Sequence, residues 1–374
     1  MSHVNNTSAP LLSRINWTNA LFLVLSPTLV LIFLPIYLYQ FGFDWRLGAL
    51  LVIGSILTSV SITAGYHRLF AHRSYDTSLG LKIFYLIFGS AALQGSAIKW
   101  ASDHRRHHRN VDQEEDPYQI QKGFFYAHMG WVFFKDDPKY LAERAKDLTQ
   151  DKWILLQDKY NVPISIIVGF LVPTLIGLSF GSPWGGLLFG CLVRVVLTHH
   201  CTFFINSLCH MWGSQPYSDK NSARDSFILA FFTYGEGYHN FHHRFEADYR
   251  NGIKWYHWDP TKWWIKSLSL VGLAKSLRKV SDYEILKARL QMDELRLQAL
   301  GRYSERFAEL RLKIEESQKK FALFKRQYQE RKRHLGAQGK EALAQAKIEL
   351  RQAKAEFEFY LKQWQQIRHA PNAI

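Results

Sequence analysis

The chain has three cysteines in 374 residues. Cys191, Cys201 and Cys209 show neither a pairing pattern nor a C-x-x-C spacing, which argues against a disulfide-stapled scaffold and against thiolate metal ligation. They read as small apolar fillers in a reducing setting. Acidic residues are also scarce, 32 against 47 lysines and arginines, for a formal charge of +15. No RNA- or DNA-reading motif accompanies that excess, so nucleic acid is not an expected partner. The H-E-x-x-H pattern of zinc proteases is missing as well. The most informative absence is local: several long stretches carry no charge at all.

Residues 19–41 are uncharged and apolar, long enough to cross a hydrocarbon layer about 30 Å thick at roughly 1.5 Å per residue. Residues 47–66 repeat the pattern after a short link. A second pair follows at 162–180 and 184–206, separated by Gly181-Ser182-Pro183. Two membrane-crossing helical hairpins are therefore expected. The first segment is not read as a cleaved signal, because it is long, lacks a basic leader and is paired with a second span. The run from Leu79 to Ile98 is interrupted by Lys82, Gly89 and Gln94, which suits a helix lying against or dipping into the bilayer better than a fifth span.

Lys and Arg are nearly absent from the links at 42–46 and 181–183, and abundant between 65 and 161 and after 207. Such asymmetry places both termini and the intervening segments on the cytoplasmic side, of a bacterial inner membrane or the endoplasmic reticulum. The net positive charge then faces anionic lipid headgroups. In W-Y-H-W-D-P-T-K-W-W, residues 255–264, large aromatics cluster beside lysine, a composition that favours the headgroup layer.

From Ser281 onward the composition turns to Lys, Arg, Glu, Gln and Leu. Apolar side chains recur by threes and fours at Leu300, Tyr303, Phe307, Leu310, Ile314, Phe321, Phe324 and Tyr328. After the break at 336–339 the period resumes through Leu343, Ala346, Leu350, Ala353, Phe357, Tyr360 and Trp364. Heptad-like spacing on both sides of a turn predicts a helical hairpin that packs rather than catalyses. The expected division is a membrane domain over 1–280 and a charged helical extension over 281–374.

What the chain has in excess is histidine, sixteen in all. Nine fall in four clusters: HRLFAH (His67, His72), DHRRHH (His104, His107, His108), NSLCH (His210, with Asn206) and GYHNFHH (His239, His242, His243). The i, i+3, i+4 spacing of both H-x-x-H-H runs puts the three rings on one face of a helix, stacked toward a common point. His67 and His72 are five apart and converge only if the helix end unwinds or a third element lies between them. Nine partly buried imidazoles without metal would repel when protonated and waste hydrogen-bonding capacity when neutral. Nine ligands suffice for two metals with open positions, and imidazole suits iron, copper, nickel or zinc. Carboxylate di-iron bundles need paired E-x-x-H motifs, whereas only Glu236–His239 fits. Glu236, and Asp103 beside His104, therefore read as carboxylates that orient a ring. His3, His128, His199, His200, His257, His334 and His369 read as ordinary polar residues, although His199 and His200 lie inside a span, where polar groups tend to be functional.

HRLFAH, DHRRHH, NSLCH and GEGYHNFHH, in that order, resemble the membrane fatty acyl desaturases of the stearoyl-CoA Δ9 type over roughly residues 15–275. The resemblance implies an all-α integral membrane fold, with four transmembrane helices in two hairpins and a cytoplasmic helical cap around a histidine-rich di-iron site. It implies as iron ligands His67, His72, His104, His107, His108, His210, His239, His242 and His243, with Asn206 acting through water. It further implies O2-dependent introduction of a cis double bond into a saturated acyl chain carried by CoA. An acyl-lipid desaturase, or a related hydroxylase or alkane monooxygenase, is the alternative. Where the animal acyl-CoA enzymes usually have an Arg contacting the carrier, this chain has Ser102. Lys99, Lys122 and Lys135 could supply charge for a phosphate-bearing headgroup. No His-Pro-Gly-Gly signature of a fused haem domain occurs, so electrons are expected from a separate donor, cytochrome b5-like or a ferredoxin and reductase chain.

Overall fold

A computed structural model describes residues 10–137, 140, 145–333 and 339–369. His3, His334 and the predicted turn residues 336–338 lie outside the described residues. The chain forms two units, one of Met1–Ser214 with Lys220–Lys279 and the other of Gln215–Asp219 with Val280–Ile374. Both are helical. The only strands among the described residues, Asp76–Thr77 and Ala274–Lys275, pair antiparallel.

In the first unit, α1 (Trp17–Phe41) and α2 (Trp45–Ala71) form one hairpin. The shorter α3 (Leu79–Ser90), α4 (Ala97–Arg109) and α5 (Phe124–His128) follow. A second hairpin is built from α6 (Asn161–Ser179) and α7 (Pro183–His210), and the unit closes with α8 (Phe227–Phe232), α9 (His239–Arg244) and α10 (Pro260–Leu270). Four helices, α1, α2, α6 and α7, are long and apolar enough to cross a membrane. Of the most apolar window of α1, 11% is buried within the protein. Leu31, Phe33 and Ile36 point outward instead, as side chains do when lipid rather than protein covers them. The chain is a multi-pass membrane protein.

Local chemistry sets the ends of these helices. Asn16 caps α1 by accepting from Asn19 N–H, and Asp44 caps α2 by accepting from Arg46 N–H. In the second hairpin, a Cβ on Gly177 would stand 2.7 Å from the Cα of Gly186. The two backbones touch there only because neither residue has a side chain.

The Leu79–Ile98 run does not stay one helix. α3 ends at Ser90 after twelve residues, too few to span a bilayer. Ile98 already belongs to α4, whose cap is Ser96.

The C-terminal half of α2, Ser61–Ala71, is a π-helix, and every residue in it is buried. Tyr66 and Phe70 pack with Ile98, Ala101 and Ile265 into the main core. The charged Arg68 among them is paired by Glu236 and Asp259, which makes its burial tolerable.

In the second unit, α12 (Glu305–Arg333) and α13 (Gly339–His369) pack along their lengths, and α11 (Asp282–Ala299) precedes them. The heptad reading finds the hairpin but not the preceding helix. Leu290 and Leu297 of α11 share a core with Phe307, Leu310, Ile314 and Trp364, and the Trp364 indole donates to Asp293. Leu300 stands in the link between α11 and α12, two-thirds exposed, rather than in the seam.

Candidate metal centre

Four segments of the first unit bring the nine clustered histidines together. His67 and His72 come from the π-helical end of α2, where His72 N–H donates to the His67 carbonyl at 3.0 Å. That i→i+5 bond is the π-helix hydrogen bond. It widens the turn, so residues five apart share a face, with the rings edge-on and their centroids 4.8 Å apart. Neither unwinding nor an inserted element is needed.

The two H-x-x-H-H runs do not each converge on one point. Two groups form: His67, His72, His104, His108 and His242, and then His107, His210, His239 and His243. Within each group the candidate ligand atoms lie within 4.8 Å of one another. The i, i+4 pairs, His104/His108 and His239/His243, stay together, while the intervening His107 and His242 cross to the opposite group. Consecutive helical residues point about 100° apart, so positions i+3 and i+4 diverge to either side of the stripe.

The inward atoms are Nε2. His242 Nε2 lies 3.0 Å from that of His67 and 2.9 Å from that of His108, and His72 and His104 meet at 2.9 Å. In the second group His239 Nε2 lies 3.0 Å from both His210 and His243, and His107 lies 3.3 Å from His243.

Several of the outward Nδ1 atoms are held. His67 Nδ1 lies 3.0 Å from Glu236 and His108 Nδ1 lies 3.2 Å from Glu246. His107 Nδ1 donates to Asp116 at 2.8 Å. Ser222 donates its hydroxyl to Asp112, so the Ser222 oxygen accepts from His210 Nδ1 at 2.8 Å. With the proton on Nδ1 in each case, Nε2 presents a bare lone pair. His242 then faces the bare Nε2 of both His67 and His108 and has at most one proton to share between them. A cation between them removes the conflict, and the residues present fit metal ions.

Burial pushes the rings further toward the neutral, ligating form. His108 is brought down to about 4 by burial and neighbouring histidines, against the pull of Glu246. Burial and like-charge neighbours also hold His72, His104, His239, His242 and His243 well below the ordinary value. Glu236 shows the opposite: burial would raise its carboxyl, but Arg68 and His67 hold it at about 2. Asn251 completes its pairing by donating to Oε2 at 2.6 Å.

Of the two carboxylates read from sequence, Glu236 faces a ring. Asp103 faces cations, Lys99 at 2.8 Å and Arg106 at 3.2 Å; the α4 face that carries Asp103 points it toward Lys99 one turn away. Asp116, Glu246 and the Ser222–Asp112 pair are not legible in the sequence. Their partners lie 9, 138, 12 and 110 residues away, so no local pattern marks them.

A cavity of about 380 Å³ adjoins the first group, lined by His67, His104 and Glu236 and by Phe22, Leu23 and Ile62 of the spans, among others. Asn206 lines it too, at the last α-helical residue of α7 before a 3-10 turn carries His210. Lys99 lines it, held between Asp103 and Asp136 at 2.8 Å each. Lys122 instead stands over the Tyr126 ring and Lys135 donates to the Ser13 carbonyl. Neither lines the cavity. None of the three cysteines joins either histidine group.

Fold and site together define a multi-pass membrane protein with two adjacent polyhistidine groups suited to metal ions. The model of the family described as fatty acid desaturase matches residues 43–271, and the chain belongs to that family. It is 42% identical over 291 residues to Acyl-CoA desaturase 1 of Saccharomyces cerevisiae, covering 76% of this chain and 56% of that protein. It is 44% identical over 239 residues to a probable acyl-CoA desaturase of Schizosaccharomyces pombe, covering 63% and 50%. It is 33% identical over 272 residues to the sn-1 stearoyl-lipid 9-desaturase of Anabaena variabilis, covering 71% and 94%. The chain spans about half the length of the two yeast relatives.

Proposed function

We propose that this protein is an O2-dependent di-iron desaturase that introduces a cis double bond, at the Δ9 position, into a saturated fatty acyl chain carried by CoA. The observation that carries the reading is the convergence of nine Nε2 atoms in two groups, the first of which adjoins a cavity that Phe22, Leu23 and Ile62 help to line. The proposed ligands are His67, His72, His104, His108 and His242 for one metal and His107, His210, His239 and His243 for the other, with Asn206 contacting it through water. Attack on an unactivated methylene pair needs redox chemistry that zinc lacks, and imidazole suits iron. Bound there, two irons would couple the reduction of O2 to removal of two hydrogens: saturated chain, O2, two electrons and two protons give the alkene and two waters.

The chain's own residues do the rest. Glu236, Asp116 and Glu246 hold protons on Nδ1 and orient the rings, and Phe22, Leu23 and Ile62 line a path for hydrocarbon. Lys99, Lys122 and Lys135 are the proposed charges near the headgroup. The site and both termini face the cytoplasm, electrons arrive from a separate donor, and residues 281–374 serve as an extension that helps dock it.

The sequence likeness to an sn-1 stearoyl-lipid 9-desaturase favours one second reading, action on chains already esterified in lipid. Expression in cells lacking their own monounsaturated lipid synthesis, followed by mass spectrometry that locates new double bonds, tests the reaction. A hydroxylated product would overturn it in favour of oxygen insertion. Supplying purified protein with labelled acyl-CoA or intact phospholipid decides the carrier.

A further inference from the structure

We propose that His199 is a positioning residue which, with Arg194, fixes a bend in the cavity wall at residues 91–95 and so selects which methylene pair of the bound chain faces the metal centre. The inference rests on the desaturase reading and adds a determinant of where the double bond falls.

Residues 91–96 form a short non-helical link between α3 and α4. Leu93 sits there at φ +57°, a left-handed conformation that costs an L-residue roughly 1–2 kcal/mol. The turn must be held from outside, and α7 holds it. Arg194 donates from Nη1 to the Ala91 carbonyl at 2.9 Å, and His199 donates from Nε2 to the Ala92 carbonyl at 2.7 Å. Two residues on, Gln94 donates to the Thr202 hydroxyl at 2.9 Å.

A carbonyl can only accept, so the His199 bond requires a proton on Nε2. Arg194 is an unusual tether. It is buried within a span, and no carboxylate pairs with it among the described residues. Its remaining bonds go to the Gly190 and Gly169 carbonyls and to Thr58. An intramembrane cation satisfied by carbonyls of several helices locks those helices together.

The tethered turn and its tether face the same space. Leu93, Gln94 and Gly95 line the cavity beside His67 and His104, and so do Thr198, His199 and Thr202. The His199 ring also meets Phe22 edge-on at 6.0 Å. If the Ala92 bond is lost, the wall relaxes where an acyl chain would pass, and a displacement of about 1 Å at a reacting centre can change rates on the order of 100-fold.

The test uses full-length protein expressed in cells without their own monounsaturated lipid synthesis, comparing wild type, His199→Leu and His199→Gln. Gln keeps an N–H that can reach Ala92, whereas Leu has none. The expected result is that His199→Leu lowers the ratio of the principal double-bond isomer to its shifted isomers about tenfold or more. His199→Gln restores the wild-type ratio, and iron per chain stays the same in all three. Should His199→Leu fail to accumulate, His199→Met, which also has no N–H to donate to Ala92, carries the same expectation. An unchanged isomer ratio with lower total product would overturn the inference and leave His199 a stability residue. If wild type itself makes no unsaturated chain, the desaturase reading fails first, and the inference with it.

Discussion

An imidazole offers one nitrogen to a metal and needs the other held, or the ring rotates and the wrong tautomer competes. In the proposed site the Glu236 carboxylate stands 3.0 Å from His67 Nδ1 while itself gripped by Arg68, at 2.8 Å, and by Asn251. Glu236→Gln keeps the shape but loses the charge that favours the Nδ1 proton. Iron affinity is expected to fall about 10–100-fold, measured by chelator competition. The lowered histidines also make a prediction about the metal-free protein. A ring such as His108, near 4 when folded and 6.5 when free, is neutral in the folded state and protonated in the unfolded state between those values. Unfolding then takes up protons, so this contribution to stability is present above pH 6.5 and is lost as pH falls through about 4. Chelator-treated protein should unfold at lower denaturant at pH 5 than at pH 7, whereas protein refilled with iron should lose less over that step.

At the scale of elements, two local departures from regular helix build the site. The first is the π-helical end of α2. The second is the tight entry to α9, where a Cβ on Gly237 would stand 2.1 Å from the Ala230 backbone nitrogen. Gly237→Ala must push α9 away from α8 and carry His239, His242 and His243 with it. A cost of about 1–3 kcal/mol is expected, read as a lower unfolding midpoint together with loss of iron from both groups. The spans, the H-x-x-H-H spacing and the hairpin seam are legible in sequence because each is a periodic pattern within one element. The division of each triplet between two groups is not, because it depends on what α2 and α7 place on either side. For the same reason Asp103 resembles a ring partner by adjacency alone, whereas Glu246 holds His108 from 138 residues away.

For the whole molecule, the nine clustered histidines and the carboxylates beside them all lie in the first unit, while the second has its own core around Trp364. Removing residues 281–374 should therefore leave iron content unchanged. Turnover should fall with the native electron donor and not with an artificial one, if the extension docks that donor. Equal loss with both donors would assign it a stabilising role instead.

The sequence by itself determined the lipid-crossing hairpins, because hydropathy and length are local quantities. It also marked nine imidazoles in four short clusters, because their spacing is a local pattern. Only the tertiary structure decided which ring joins which group, which carboxylates hold them, and how α7 grips the bend over the cavity. Those depend on residues up to 175 positions apart meeting in one core, and no periodicity within a segment encodes such meetings.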